Sequence, residues 1–244
     1  MFVPVVLAVP VLVALHQIRA EEIDFGRASG AEQAHADRPQ RAGRLAALLQ
    51  NRSLLIFAIC MVLFQVANAS MLPLMNGMLA SGGKRQAAPL VATLIIVPQL
   101  VVALLAPWVG ERAEKNGRKP LLLVGFAALP IRAVLFAFIS DPLALIAVQL
   151  LDGITGAVIG VMTALVIADV TQGTGRFNLA QGMFGTVMGV GASLSPTLSG
   201  LIVDRVGYSA GFLSLAVEAL VALMVVALFL PETKEQVPNR MGNF

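Results

Sequence analysis

Three ionisable residues, Arg132, Asp152 and Glu218, stand inside stretches that are otherwise almost wholly apolar. A charge at the middle of a membrane-spanning helix costs roughly 2.5–3.5 kcal/mol on insertion scales, so such residues persist where they pair, bind or carry protons. Arg132 lies eight residues before Ser140, Asp152 ten after Pro142 and Glu218 ten after Tyr208. At a helical rise of 1.5 Å per residue, all three share a layer roughly 12–15 Å below one surface. The spacing predicts that Arg132 pairs with Asp152 or Glu218, leaving the other acid able to take up a proton. A purely structural ion pair accounts for the same residues, with Glu218 alternatively snorkelling beside a neighbour. Uncharged polar residues follow the same logic: Gln65, Asn68, Gln99, Gln149 and Thr155 either belong to a polar site or hydrogen-bond between helices.

A second group of charges lies between apolar runs rather than within one. The stretch GERAEKNGRKP, residues 110–120, holds six charged residues in eleven positions, although charged residues are 13% of the chain. Residues 87–110 before Glu111 are all uncharged, and so are the twelve that follow Lys119. Gly110 and Gly117 allow close approach and a tight turn. Arg118 and Lys119 can hold phosphate headgroups or acidic partners, and Glu114 can accept hydrogen bonds from a helix N-terminus or pair with an arginine.

The elements that position these residues follow from composition. Hydrophobic residues make up 57% of the 244 and the mean hydropathy is +0.83, both far from a soluble domain. No Asp, Glu, Lys or Arg occurs in residues 53–83 or 177–203, runs of 31 and 27 residues. Roughly 20 apolar residues cross a bilayer as a helix, and the ~10-residue alternation of barrel strands is missing. The chain reads as an all-α, polytopic helical membrane protein with spans at about 1–18, 54–75, 88–110, 120–139, 142–168, 178–203 and 208–230. Residues 1–18 lack the basic n-region and cleavage site of a signal peptide, so they read as a transmembrane helix. Residues 19–52 follow as a polar cytoplasmic segment, 53–232 as a six-helix bundle and 233–244 as a cytoplasmic tail.

Topology rests on the positive-inside rule. With residues 19–52 in the cytoplasm, that side receives Arg19, Arg27, Arg38, Arg41, Arg44, Arg52, Arg112, Lys115, Arg118, Lys119, Arg176, Lys234 and Arg240. The other side receives only Lys84, Arg85 and Arg205. Trp108 and Tyr208 fall where interfacial aromatics anchor helices. Gly156-x-x-x-Gly160 and Gly185-x-x-x-Gly189 predict close helix packing, and Pro196, followed by Gly200, predicts a kink in span 178–203.

Read by position, residues 110–123 are Gly110-x-x-x-Glu114-x-x-Gly117-Arg118-Lys119-x-x-x-Leu123. This resembles the signature loop of the major facilitator superfamily, G-x-x-x-D-x-x-G-R-K/R-x-x-x-L. Glu114 replaces the usual Asp and Arg112 takes a place that is commonly apolar, departures that suit the second copy of the signature, between helices eight and nine. The tail PETK at residues 231–234 is similar to the segment closing the twelfth helix of many members. The resemblance implies that the chain corresponds to helix six, the central linker and helices seven to twelve. It implies that Glu114 holds the two halves together on the cytoplasmic side. It also implies that helices seven, eight, ten and eleven line the path, which favours Asp152 over Glu218 as the functional acid.

The implied function is the C-terminal half of a secondary transporter. It would move a small solute by alternating access, coupled to protons, with export favoured over import, in a bacterial inner membrane. Its partners would be the bilayer, the solute, protons and an N-terminal six-helix half or a second copy. The alternative is a half-size membrane protein that homodimerises or regulates a full-length transporter. No enzyme activity, cofactor, metal or nucleic-acid partner is expected: phosphate-loop, zinc-ligand and nucleophile-elbow patterns are missing, and His16 and His35 have no ligand spacing. The single cysteine, Cys60, excludes an intramolecular disulfide.

Overall fold

A computed structural model describes residues 52–81, 87–172, 174 and 176–232. The helix expected at 1–18, the linker up to residue 51, Lys84, Arg85 and the tail 233–244 lie outside the described residues. Seven helices occur among them: α1 Arg52–Asn68, α2 Met71–Ser81, α3 Ala87–Asn116, α4 Lys119–Phe138, α5 Pro142–Thr171, α6 Phe177–Val206 and α7 Tyr208–Phe229. Helix accounts for 92% of these residues and no strand occurs among them, so the fold is all-α. Counting α1 and α2 as one span, six helices are long and apolar enough to cross a membrane.

Local chemistry explains most boundaries. Pro73 lacks an N–H, and its ring excludes the carbonyl of Ala69, four residues back. The first span therefore breaks at Ala69 and Ser70 and resumes at Met71. The sequence reading made 54–75 continuous and expected a kink at Pro196; the break falls in the first span instead, while α6 runs without a break from Phe177 to Val206 through Pro196. At the start of α5, the Asp141 carboxylate accepts from the Ala144 N–H at 2.9 Å, and Pro142 occupies the first turn.

The charged stretch after Gly110 also differs from expectation. α3 continues to Asn116, so Glu111 to Asn116 form its last turns rather than a loop. The helix stops at Gly117, whose φ of 90° is left-handed and whose N–H bonds the Ala113 carbonyl at 3.2 Å. The connection to α4 is thus reduced to Gly117 and Arg118.

The principal helix contacts run α3 with α5, α5 with α4, α4 with α7, α7 with α1, and α1 with α6, with α7 also touching α6. Aromatic pairs mark two of these contacts, Phe57 with Phe184 and Phe136 with Phe212, and a third pair, Phe64 with Phe126, joins α1 to α4, at centroid distances of 5.3, 5.6 and 5.3 Å. α4 is the most enclosed, 61% of its apolar window being buried, against 11% for α3 and 17% for α6. α3 and α6 are therefore the flanks, exposing Ile96, Leu100 and Leu104 on one and Val190, Leu198 and Leu201 on the other.

The close backbone approaches do not fall on the expected glycine pairs. Gly160, Gly185, Gly189 and Gly200 have open space where a Cβ would stand, and Gly156 meets only Val102. Instead, Gly153 packs α5 against Val101 and the Pro98 carbonyl of α3, and Gly191 packs α6 against the Val62 carbonyl of α1. A Cβ at Gly153 would lie 2.4 Å from that of Val101. Gly153→Ala is expected to lower stability by about 1–3 kcal/mol through overpacking. Gly160→Ala should leave stability unchanged or raise it slightly, because alanine is the better helix former. Denaturant titration of the purified protein in mild detergent checks both; equal losses at the two positions would contradict the packing described.

Candidate functional site

The break in the first span is stitched by two other helices. Ser70, displaced from the helical ladder, donates its N–H to Ser195 Oγ of α6 at 3.1 Å, and Ser195 Oγ donates to Ser70 Oγ at 2.7 Å. Ser199 Oγ donates to the Ser195 carbonyl at 2.8 Å, and all three serines are buried. On the other side, Arg132 of α4 reaches both lips of the break. Its Nη2 donates to Asn68 Oδ1 at the end of α1, and its Nε and Nη2 donate to Met71 Sδ at the start of α2, at 3.1 and 3.0 Å. Its Nη1 forms an ion pair with Asp152 Oδ1 of α5.

Of the two acids the sequence offered, Arg132 takes Asp152. The guanidinium is nearly sealed, its side chain 3% exposed, whereas the Asp152 side chain is 30% exposed. Glu218 lies half-buried on α7, and its Oε2 has no hydrogen-bond partner among the described residues. The same holds for Asn76 Oδ1 of α2, which sequence reasoning did not single out.

The uncharged polar candidates divide. Gln149 is buried and donates to the Leu94 carbonyl of α3 at 2.7 Å, and buried Thr155 donates to the Gly125 carbonyl of α4 at 3.3 Å. Both side chains thus join helices. Gln65 is half-buried near Gly191, and Gln99 is exposed on α3. Asn68 alone among the five joins the charged layer.

The second constellation closes the opposite end of α4. Arg118 is buried and its Nη1 donates to the Ala113 carbonyl at 2.7 Å. Its guanidinium pairs with Glu114 at 3.0 Å and with Asp169, near the end of α5, at 3.0 Å. Burial works to lower the Arg118 pKa, but the hydrogen bonds and charges of Asp169 and Glu114 hold it above the ordinary arginine value. Glu232 arrives from beyond α7 and caps α4: its two oxygens accept from the backbone N–H groups of Arg118 and Lys119 at 2.8 and 3.0 Å. A carboxylate is favoured there by the unpaired N–H groups and the helix dipole. Gly117 is required twice, for its positive φ and because a Cβ would sit 2.6 Å from Glu232 Oε2.

Asp169 and Glu232 were missed by sequence reasoning, as were Ser70, Met71 and Ser195 as site residues. Glu232 lay in the quoted PETK tail, but its partner is 114 residues away in sequence. Pro73 was the readable signal for the break at Ser70.

Three variants test these sites. Arg132→Ala leaves Asp152 without its cation and should cost about 3–5 kcal/mol, whereas Arg132→Met combined with Asp152→Leu should recover most of that loss. Chemical unfolding in detergent gives both values; a double variant as unstable as the single one would mean the pair is not the unit. Glu232→Ala should cost about 0.5–2 kcal/mol, as for loss of other N-terminal caps. Hydrogen exchange of the first turn of α4 should rise with it, while that of the Arg132 layer stays level.

Comparison with known proteins follows this geometry. Residues 54–242 match the family model for the Major Facilitator Superfamily. An uncharacterised MFS-type transporter of Mycobacterium tuberculosis is 38% identical over 222 residues, 91% of this chain and 53% of its own length. The class B tetracycline resistance protein of Escherichia coli is 32% identical over 146 residues, 60% of this chain and 36% of its own length. The multidrug efflux pump LfrA of Mycolicibacterium smegmatis is 27% identical over 147 residues, 60% of this chain and 29% of its own length. The chain spans about half the length of the first of these relatives and less of the others. A six-span helical bundle, the glycine-bounded clasp at Gly117 and these matches together make the chain a member of the Major Facilitator Superfamily.

Proposed function

We propose that the chain is the C-terminal half of a secondary transporter that exports a small organic solute in exchange for protons. It would act by rocking against an N-terminal six-helix bundle in a bacterial inner membrane, with residues 19–52 and the C-terminus in the cytoplasm. The observation that carries this is the charged layer at the broken span. Secondary transporters build their sites where membrane helices are discontinuous, near the midplane between repeats. Here the break between α1 and α2 meets Arg132 and Asp152 at a depth about 21 Å along α4 from Arg118.

Other features support a partner bundle. α3 and α6 leave large apolar faces uncovered, and Gly182, Gly185, Gly189 and Gly200 of α6 have open space where a neighbouring helix could approach. Glu114 stands on the same end as the clasp, its side chain 63% exposed, within reach of a helix outside this chain. Two relatives are named for tetracycline resistance and multidrug efflux, which favours export.

The test is proton counterflow in liposomes with a luminal pH probe. The chain joined to an N-terminal six-helix bundle should move protons when candidate organic solutes are added, and the chain alone should not. Equal flux from the chain alone would overturn the half-transporter reading, and a crosslinked dimer with that activity would replace it with the homodimer.

A further inference from the structure

An apolar groove runs along the seam between α1 and α6. Leu55, Ala58, Ile59 and Val62 of α1 line it with Met183 and Val187 of α6, and its volume is about 180 Å³. Every lining side chain is apolar, so water finds no partner there. An apolar cavity of roughly 150 Å³ already takes up a benzene-sized hydrocarbon. We propose that this groove holds an acyl chain of an anionic phospholipid whose phosphate is bound by Arg52 and Arg176.

The charges stand where a headgroup belongs. α1 and α6 run in the same direction from one end of the bundle: Phe57 meets Phe184, and further along Gly191 meets the Val62 carbonyl. Arg52 opens α1 three residues before Leu55, about 4.5 Å along the axis, and Arg176 precedes Met183 by seven, about 10.5 Å. Both guanidinium groups therefore flank one mouth of the groove. Neither is ion-paired among the described residues, and no acid occurs from residue 53 to 68 or from 177 to 203. A guanidinium binds a phosphate through two parallel hydrogen bonds, and basic residues at a helix end attract anionic lipid. The geometry also separates this occupant from a helix of a partner bundle. At 3.6 residues per turn, Met183 and Val187 lie roughly 140° around α6 from Gly182, Gly185, Gly189 and Gly200. A helix seated on that open glycine face leaves the groove to lipid.

The probe is phosphatidylglycerol carrying a photoreactive acyl chain, added in trace to phosphatidylcholine nanodiscs that hold the full chain, with adducts located by peptide mass spectrometry. Adducts should concentrate on residues 54–62 and 183–187. Excess unlabelled phosphatidylglycerol should lower them several-fold, and excess phosphatidylcholine should not. Arg52→Gln combined with Arg176→Gln should abolish that headgroup preference, and Ile59→Trp, which fills the groove, should remove the adducts. Labelling spread evenly over the exposed residues of α3 and α6 overturns the proposal, as does equal competition by the two lipids or a preference that survives the double arginine variant. The same labelling of the chain joined to an N-terminal six-helix bundle identifies the occupant. Retained adducts support lipid, and their loss there or in a crosslinked dimer gives the groove to protein and overturns it. The readout needs no solute, so a failed transport assay leaves it standing.

Discussion

A polypeptide interrupted inside hydrocarbon has no water to answer its freed backbone groups, so other helices must answer them. Much of this bundle is arranged around that requirement at Ala69 and Ser70. Pro73 withholds a backbone donor just after the interruption, Ser195 of α6 supplies the hydroxyl for the Ser70 N–H, and Arg132 of α4 binds the residues on both sides. Arg132 in turn could not remain buried without Asp152 of α5. Four spans thus meet in a single polar layer, within a core otherwise rich in Ala, Leu, Phe, Val and Met.

The end of the bundle near Gly117 solves a different problem with similar means. There the difficulty is the exposed N-terminus of α4, which begins immediately after α3 stops. Glu232 caps it from the far end of the chain, and Arg118 ties α3 to α5 through Glu114 and Asp169. The two constellations lie on the same helix, α4, which is also the most buried span. Through these two constellations α4 is tied to α1, α2, α3 and α5.

Periodicity and charge made the spans legible, because a bilayer punishes any other arrangement of 20-residue apolar runs. Arg132 and its two candidate acids were legible for the same reason, charges in such runs being costly enough to signal a purpose. Which acid Arg132 would take was not legible. Asp152 and Glu218 sit at equal depth, and only the packing of α4 against α5 and α7 decides between them. The glycine pairs misled because small-xxx-small spacing marks a surface that can be approached, without saying whether the neighbour belongs to this bundle. Gly153 and Gly191 are paired four residues on with Ala157 and Ser195 rather than with a second glycine, yet each faces a backbone carbonyl of a neighbouring helix.

Residue types and their order along the chain therefore determined the six described spans and the turn at Gly117, consequences of local sterics and of desolvating charge. Tertiary structure alone decided that Glu232 caps α4, that Ser195 answers Ser70, and that Asp152 neutralises Arg132. Those partners are separated by 114, 125 and 20 residues. They meet because helices choose neighbours by the shape of whole faces, which no short stretch of sequence records.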